Sequence, residues 1–356
     1  APVTSSRPSR RLPPANPHGW LMLTNSGTDC FLNASIQLLR RIIPIRAILD
    51  DWLGAIRQLP QEELTPAEKT LSILASLLSK TDVHSVRRLR EALPHAIPML
   101  EQQGFLNRQQ DASEIIQELL KLLPGEARDL MRIDTVDQLR CFDKNEEECP
   151  WQRSQNNVVP FVIYNVGMNH EEVNLEYLLN GEWHDEEGED LIVHCSTCCE
   201  CCQGTAERGE VHDDDNCPSP NCLPIRSRSC KRKGIDFTGE GDYFCITFNI
   251  LHQHRDGSFE RMDWALTQNC DLKRMDMFGR EWRAVAIVKH IGNEANQWQS
   301  GHYFTFIREN DNTWWKHEDA LQPTLIGVDY TFPSGYEYSP NSIDMEGVTA
   351  ILFQKI

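Results

Sequence analysis

Leu23-Thr24-Asn25-Ser26-Gly27-Thr28-Asp29-Cys30-Phe31-Leu32-Asn33 is a polar, turn-forming run that feeds an apolar helix. Leu32, Ile36, Leu39 and Ile43 follow at helical spacing and Pro44 stops the run, which predicts a helix from Phe31 to Ile43. Cys30 therefore falls at a helix N-terminus, where unpaired amides and the helix dipole stabilise a thiolate. The thiolate is the attacking form, so a catalytic thiol gains most at such a place. Gly27 lets the backbone bend toward a substrate. Asn25, ahead of the thiol, can offer its amide to an oxyanion. Taken alone, the segment reads equally well as a buried, inert thiol, the common state of a free cysteine.

A thiol hydrolase also needs a base and a group that orients it. Of the twelve histidines, His302 stands out because Gly301-His302-Tyr303 opens an apolar strand. A strand-start histidine on a sheet edge can face a helix N-terminus across a cleft. Trp314-Trp315-Lys316-His317-Glu318-Asp319 follows, and a turn at Asn310 to Thr313 would return it antiparallel to the His302 strand. A carboxylate there can reach the imidazole and fix its tautomer. Each residue alone is more simply a solvated carboxylate or a satisfied histidine. Their order and spacing favour the catalytic reading.

Outward from these two segments the pattern divides the chain. The first part reads helical. Thr65, Pro66 and Glu68 form a capping box that opens a helix through Leu71, Leu74, Leu77 and Leu78. Residues 84–102 are helical with interruptions at Pro94 and Pro98, and Arg108 to Leu123 is a further helix. Later residues read as strands: Val158 to Val166, Tyr243 to Ile250, Trp282 to His290, His302 to Arg308 and Val348 to Phe353. Glu172 to Asn180 suggests a short helix, and the acidic residues 185–190 a solvated loop. Helices first and strands later give an α+β protein with two lobes and a cleft between them.

The 356 residues carry a net charge of −18, which argues against nucleic acid as a partner, since that requires a basic surface. No stretch has the roughly 18 to 20 apolar residues that span a bilayer, so no membrane partner is expected. Residues 1–18 lack the apolar centre of a signal peptide and read as a disordered leader, and a start at Ala1 suggests a fragment of a longer chain. The thirteen cysteines then face a reducing compartment, cytoplasmic or nuclear, where metal binding or catalysis is the usual use of thiols. Eight of them lie between residues 194 and 233. Cys195 and Cys198 form a CxxC pair and Cys217 and Cys222 bracket a proline-rich knuckle, a set suited to one structural zinc. The alternative is a metal-free segment with free thiols. No cofactor is expected for catalysis, because no carboxylate-and-histidine cluster accompanies the thiols.

These segments carry a family likeness. Leu23-x-Asn25-x-Gly27-x-x-Cys30-Phe31-x-Asn33-x-x-Ile36-Gln37-x-Leu39 resembles the Cys box of the ubiquitin-specific proteases. Gln109-Gln110-Asp111-Ala112 resembles their Gln-Gln-Asp-Ala motif. Trp282 to Gly292, Gly301-His302-Tyr303 and Trp314 to Asp319 resemble their His box. The resemblance implies a papain-like cysteine peptidase fold: a helical thumb with the Cys box (19–135), Cys-rich fingers (136–240) and a palm with the His box (241–356). It implies thiol-dependent hydrolysis after the C-terminal Gly-Gly of ubiquitin or a ubiquitin-like modifier, with that modifier and its conjugates as partners. Cys30 would be the nucleophile, His302 the base and Asn25 the oxyanion donor. Where the family has Asp or Asn as third member this chain has Glu318, followed by Asp319. The extra methylene of Glu318 leaves both open, with Asp319 slightly preferred. Cys195 and Cys198 match the second metal pair of the fingers, whereas Cys141 and Cys149 match the first poorly.

Thr28 and Asp29 also depart from the family pattern, and Phe31 replaces a tyrosine. Asp29 beside the thiol should oppose its ionisation unless the charge is paired or turned away. Two other readings stay open: a ubiquitin-binding protein without activity, and a zinc-stabilised scaffold unrelated to ubiquitin.

Overall fold

The structure is a computed structural model. It describes residues 19–142 except 61, 103 and 107, and then 148–165, 172–173, 184–187, 229–236, 241–249, 251–253, 259–261, 265–266, 272–277, 279–292, 301–309, 313–328 and 347–356. The helices come first: α1 (Cys30–Arg40), α2 (Ile43–Ile56), α3 (Pro66–Leu78), α4 (Arg87–Ala96), α5 (Pro98–Gln102), α6 (Ala112–Leu122) and α7 (Gly125–Asp129). Two short strands, β1 (Leu21–Thr24) and β2 (Asp82–Ser85), pair in parallel among them. The rest of the chain is extended: β3 (Ile133–Phe142), β4 (Glu148–Val159), β5 (Val162–Asn165), β6 (Glu172–Val173), β7 (His184–Glu187), β8 (Ser229–Asp236), β9 (Tyr243–Asn249), β10 (Leu251–Gln253), β11 (Phe259–Arg261), β12 (Ala265–Leu266), β13 (Met275–Met277), β14 (Arg280–Ile291), β15 (His302–Arg308), β16 (Thr313–His317), β17 (Thr324–Val328) and β18 (Val348–Lys355). The class is α+β, as the pattern predicted.

One eight-stranded sheet in the order β17-β16-β15-β14-β18-β9-β5, with β13 beside β14, carries the helices. The sheet is antiparallel except for the β5–β9 pair. Tyr243, Cys245, Ala286, Val288, Tyr303, Ile307, Ala350 and Leu352 turn one face toward the helical core. Phe244, Trp282 and Phe353 pack together on buried sites of the same strands, with Phe244 stacked 5.6 Å from Phe353. This explains why β9 is buried at six successive residues. A sheet covered on both faces reads as continuous apolar sequence. A separate four-stranded antiparallel sheet runs β4-β3-β8-β7.

α1 sits at the centre of the helical part. Ten of its eleven residues are buried, because β1, β15, α2 and α6 surround it. A helix enclosed on all sides tolerates polar residues only if they are bonded. Gln37 donates to the Leu21 carbonyl at 2.6 Å and Ser35 to the Phe31 carbonyl at 2.8 Å. From the sheet, Thr305 donates to the Ala34 carbonyl at 3.1 Å. The Gln37 and Thr305 bonds fix α1 against β1 and β15, the two elements that flank its N-terminus.

Several local expectations are corrected. The first helix ends at Arg40, and Pro44 lies in the first turn of a second helix rather than after the last turn of the first. Proline suits either place, since the first helical amides have no acceptor. Pro94 lies inside α4, and the break falls at Ile97. The helix expected from Arg108 starts only after Asp111, whose carboxylate accepts the Ser113 amide at 2.8 Å as its cap. Val158 to Val166 is divided between β4 and β5. Glu172 and Val173, expected in a helix, form β6 and pair in parallel with β12. Of the acidic residues 185–190, expected in a loop, Asp185 to Glu187 belong to strand β7, with Asp185 opposite Arg232 and Glu186 opposite Lys231 in the ladder, and 188–190 lie outside the described residues. The capping box at Thr65 and Glu68 is present with both reciprocal bonds.

Candidate active site

β1 leads into the site. The segment after it turns tightly: Asn25 Oδ1 accepts the amides of Gly27 at 2.9 Å and Asp29 at 3.0 Å. Gly27 has φ +114°, a conformation that a side chain would strain. The turn delivers Cys30 as the first residue of α1. The thiol is buried at 2% exposure. Burial pushes the Cys30 thiol up from its ordinary range, and the Asp319 charge adds to this. The amides of Tyr303, Phe31 and Cys30 itself pull the other way without overcoming it. The helix N-terminus was expected to favour a thiolate, but the desolvation outweighs the amides and opposes ionisation of the thiol.

The opposite wall comes from β15 and the end of β16. The two strands are antiparallel, with Thr305 opposite His317, so the turn after β16 lies beside the start of β15. This brings Glu318 and Asp319 to His302. Nε2 of His302 lies 3.2 Å from Glu318 Oε1 and 3.8 Å from Asp319 Oδ2. The closer approach is poorly aligned for a full hydrogen bond. Catalytic bonds often tighten only when substrate is present. Gly301, just before His302, has φ +152°, and a Cβ there would overlap the His290 ring and come within 2.7 Å of the Ile291 carbonyl. The close packing of Gly301 on β14 sets the start of β15 and hence His302.

The two carboxylates have different partners. Glu318 bridges His302 and Lys316, whose Nζ lies 2.7 Å from Oε2. Burial raises the Glu318 carboxyl, but the bond and charge of Lys316, together with His302, outweigh it and hold it below the ordinary carboxylate range. Asp319 instead accepts the side-chain amides of Asn25 at 2.9 Å and Asn33 at 2.8 Å, one on each oxygen. Its backbone has φ +47°, and its carbonyl accepts the Leu23 amide at 3.2 Å. Asp319 thus joins the His302 wall to the Cys30 wall. Asn25, expected as a free oxyanion donor, gives one amide hydrogen to Asp319 and has a second to offer.

Asp29 is neutralised. It forms a buried ion pair with Arg90 of α4. Burial raises the Asp29 carboxyl, yet the bonds from Ser26 and Arg90 outweigh it and keep it ionised below its ordinary value. Neither Arg90 nor the role of Asn33 was visible in sequence. The one signal for Arg90 was Asp29 itself, a carboxylate beside a buried thiol that needs a cation.

Cys30, His302, Asn25, Glu318 and Asp319 therefore come together from segments far apart in the chain. Cys195, Cys198, Cys217 and Cys222 lie outside the described residues. Among the described residues no group of three or more His, Cys, Asp or Glu could hold a metal ion, and no helix is long and apolar enough to cross a membrane.

Comparison with known proteins agrees with this arrangement. A family model described as "Ubiquitin carboxyl-terminal hydrolase" matches residues 22–323. No curated protein matches. Among solved structures, a chain in "Structure of the SAGA Ubp8/Sgf11/Sus1/Sgf73 DUB module bound to ubiquitin aldehyde" is similar over 95% of this chain and 70% of that chain, with a TM-score of 0.57 and 14% identity. At that identity the likeness speaks for the fold. The family match runs from β1 past Asp319 and includes both walls of the site, so the chain belongs to the ubiquitin carboxyl-terminal hydrolase family, with the papain-like fold of its ubiquitin-specific protease members.

Proposed function

We propose that the protein is a thiol hydrolase that cleaves the isopeptide or peptide bond after the C-terminal Gly-Gly of ubiquitin or a ubiquitin-like modifier. The observation that carries this reading is the joint placement of a helix-start thiol, a histidine facing two carboxylates, and an amide held by one of them. The family match and the ubiquitin aldehyde in the similar structure support the choice of substrate class.

In this mechanism Glu318 and Asp319 occupy Nε2 of His302, which leaves Nδ1 for the thiol proton. His302 takes that proton as the sulfur attacks the carbonyl carbon. The oxyanion is met by the second amide hydrogen of Asn25 and by the first amides of α1. The C–N bond breaks as His302 returns the proton to the leaving amine, and a thioester remains on Cys30. Water, deprotonated by His302, attacks the thioester and releases the carboxylate, with the proton passing back to the sulfur. The shorter contact supports Glu318 as the group that orients His302. Asp319 orients Asn25.

Hydrolysis of ubiquitin carrying a C-terminal fluorogenic amide tests this. The expected result is turnover by the wild type that Cys30→Ala and His302→Ala both abolish. Parallel substrates built on ubiquitin-like modifiers identify the preferred one. The buried thiol, whose ionisation desolvation opposes, gives some support to a second reading, a ubiquitin-binding protein without activity. Ubiquitin binding without turnover on any of these substrates would establish it.

A structural zinc, apart from the chemical step, is proposed on the donor chemistry of Cys195, Cys198, Cys217 and Cys222. Metal analysis should find one zinc per chain, lost in Cys195→Ser/Cys198→Ser. A folded, active protein without metal would contradict it.

A further inference from the structure

Asp29 directly precedes the nucleophile of the proposed reaction and is 1% exposed. It stands where an N-cap residue stands, yet its carboxylate caps nothing in α1. One oxygen accepts the Ser26 amide at 3.0 Å and the Ser26 hydroxyl. The other accepts Nη1 of Arg90. Arg90 is itself 6% exposed, and both of its terminal nitrogens are engaged, while Nε is buried without a partner. Nη1 donates to the Thr28 hydroxyl at 2.7 Å, and Nη2 to the carbonyls of Phe105 at 3.0 Å and Arg108 at 3.1 Å. Its guanidinium lies over the rings of Phe31 and Phe105, 5.6 and 5.8 Å from their centroids. One cation from α4 therefore binds the residues on both sides of Cys30 and the loop that leads to Gln109.

A buried ion pair is a weak source of stability, because desolvating both charges offsets most of their attraction. Its location suggests a different use. The amides of Phe31 and Cys30 favour the charged form of the Cys30 sulfur, and a carboxylate at the N-cap position is the usual competitor for such amides. Asp319 already opposes the negative charge on sulfur, with Glu318 and His302 on the same wall. An unpaired Asp29 would add a second opposing charge one residue from the thiol.

We propose that Arg90 is a positioning residue for the nucleophile: it neutralises Asp29 and holds its carboxylate away from the first turn of α1, so that those amides serve the sulfur and the oxyanion. The proposal rests on Cys30 as nucleophile. Arg90 acts through Asp29 and touches no reacting atom, so its loss should be reversed by removing the Asp29 charge.

The test is the pH dependence of Cys30 alkylation by iodoacetamide, followed at Cys30 by peptide mass spectrometry, alongside kcat/KM on the ubiquitin amide. Arg90→Met should move the alkylation midpoint up by about one pH unit and lower kcat/KM at neutral pH roughly tenfold. Asp29→Thr in the same chain should return the midpoint to the wild-type value, even if the melting temperature stays low. A folded Arg90→Met with an unmoved midpoint overturns the proposal, and so does a shift that Asp29→Thr leaves in place. If Arg90→Met does not fold, Arg90→Lys keeps the charge without the planar fork. It should give a smaller upward shift that Asp29→Thr abolishes, and absence of that behaviour also overturns the proposal. Alkylation reads the thiol with no modifier bound. An intact Arg90 effect without ubiquitin turnover would sink only the substrate assignment, and turnover with an unmoved midpoint only the role of Arg90.

Discussion

Two adjacent carboxylates with separate partners are the feature of the site that single residues can test. Glu318 lies nearer His302, and Asp319 holds the amides of Asn25 and Asn33. If they serve different groups, they should couple differently. Asp319→Ala releases Asn25 and should lower kcat by roughly 10²-fold, the scale of losing one oxyanion donor. Combined with Asn25→Ala it should cost little more than either change alone, since the two act as a unit. Glu318→Ala, which acts through His302, should be additive with Asn25→Ala. Steady-state rates for the two double-mutant cycles decide this. Coupling of Glu318 rather than Asp319 with Asn25 would reverse the assignment. Sequence offered both carboxylates without ranking them by distance, because the answer depends on the φ of +47° at Asp319 and on the register of β15 against β16. Arg90 was hidden for a related reason: its partner is 61 residues away.

At the scale of elements, Gly301 and Thr65 make contrasting predictions. Gly301 packs against His290 and Ile291 with no room for a methyl group. Gly301→Ala should destabilise the protein by about 1–3 kcal/mol and displace His302, so that activity falls further than stability does. Thr65 caps α3, away from the site. Thr65→Ala should cost about 1 kcal/mol with kcat unchanged. Denaturant titration with parallel kinetics checks both, and an inactive but fully folded Thr65→Ala would contradict the separation. Elements with local causes were legible in sequence. The capping box of α3 lies within four residues, and β15 begins and ends where its apolar run does. Elements with non-local causes were not. β2 reads Asp-Val-His-Ser and is a strand only because Leu21 to Thr24 lie alongside it. The acidic β7 needs the basic positions of β8, some 45 residues later, before a strand becomes sensible. Pro44 fits both the end and the start of a helix, and only the burial of Ile45, Leu49 and Leu53 selects the start.

Across the whole molecule, the walls of the site come from its two halves, so stability and activity share buried groups. His317 precedes Glu318 and is buried, its ring edge-on to Trp20 at 5.9 Å. Burial, with the Arg40 charge, pushes its imidazole down to about 3. The unfolded chain binds that proton near pH 6.5 and the folded chain only near 3, so the unfolded state holds more protons in between. Stability should therefore fall as pH drops below about 6.5, by up to about 1.4 kcal/mol per pH unit from this group. Asp29, held below its ordinary value, adds a loss in the same direction at lower pH. His317→Gln should flatten the curve of melting temperature between pH 7 and 5, and an unchanged slope would remove His317 as the cause. The fold class, the order of the motifs and the choice of Cys30 and His302 as candidates were open to a reading of the sequence. The direction in which the thiol's ionisation is pushed was not, because a helix start and deep burial act in opposite directions and only the packing around α1 decides between them. The central claim is that Cys30 is nonetheless the nucleophile. Ubiquitin bearing a C-terminal thiol-reactive group, incubated with the protein and analysed by intact and peptide mass spectrometry, tests it most directly. The account predicts one covalent adduct, located on Cys30 and absent in Cys30→Ala. Binding without an adduct, or an adduct on another cysteine, would contradict it.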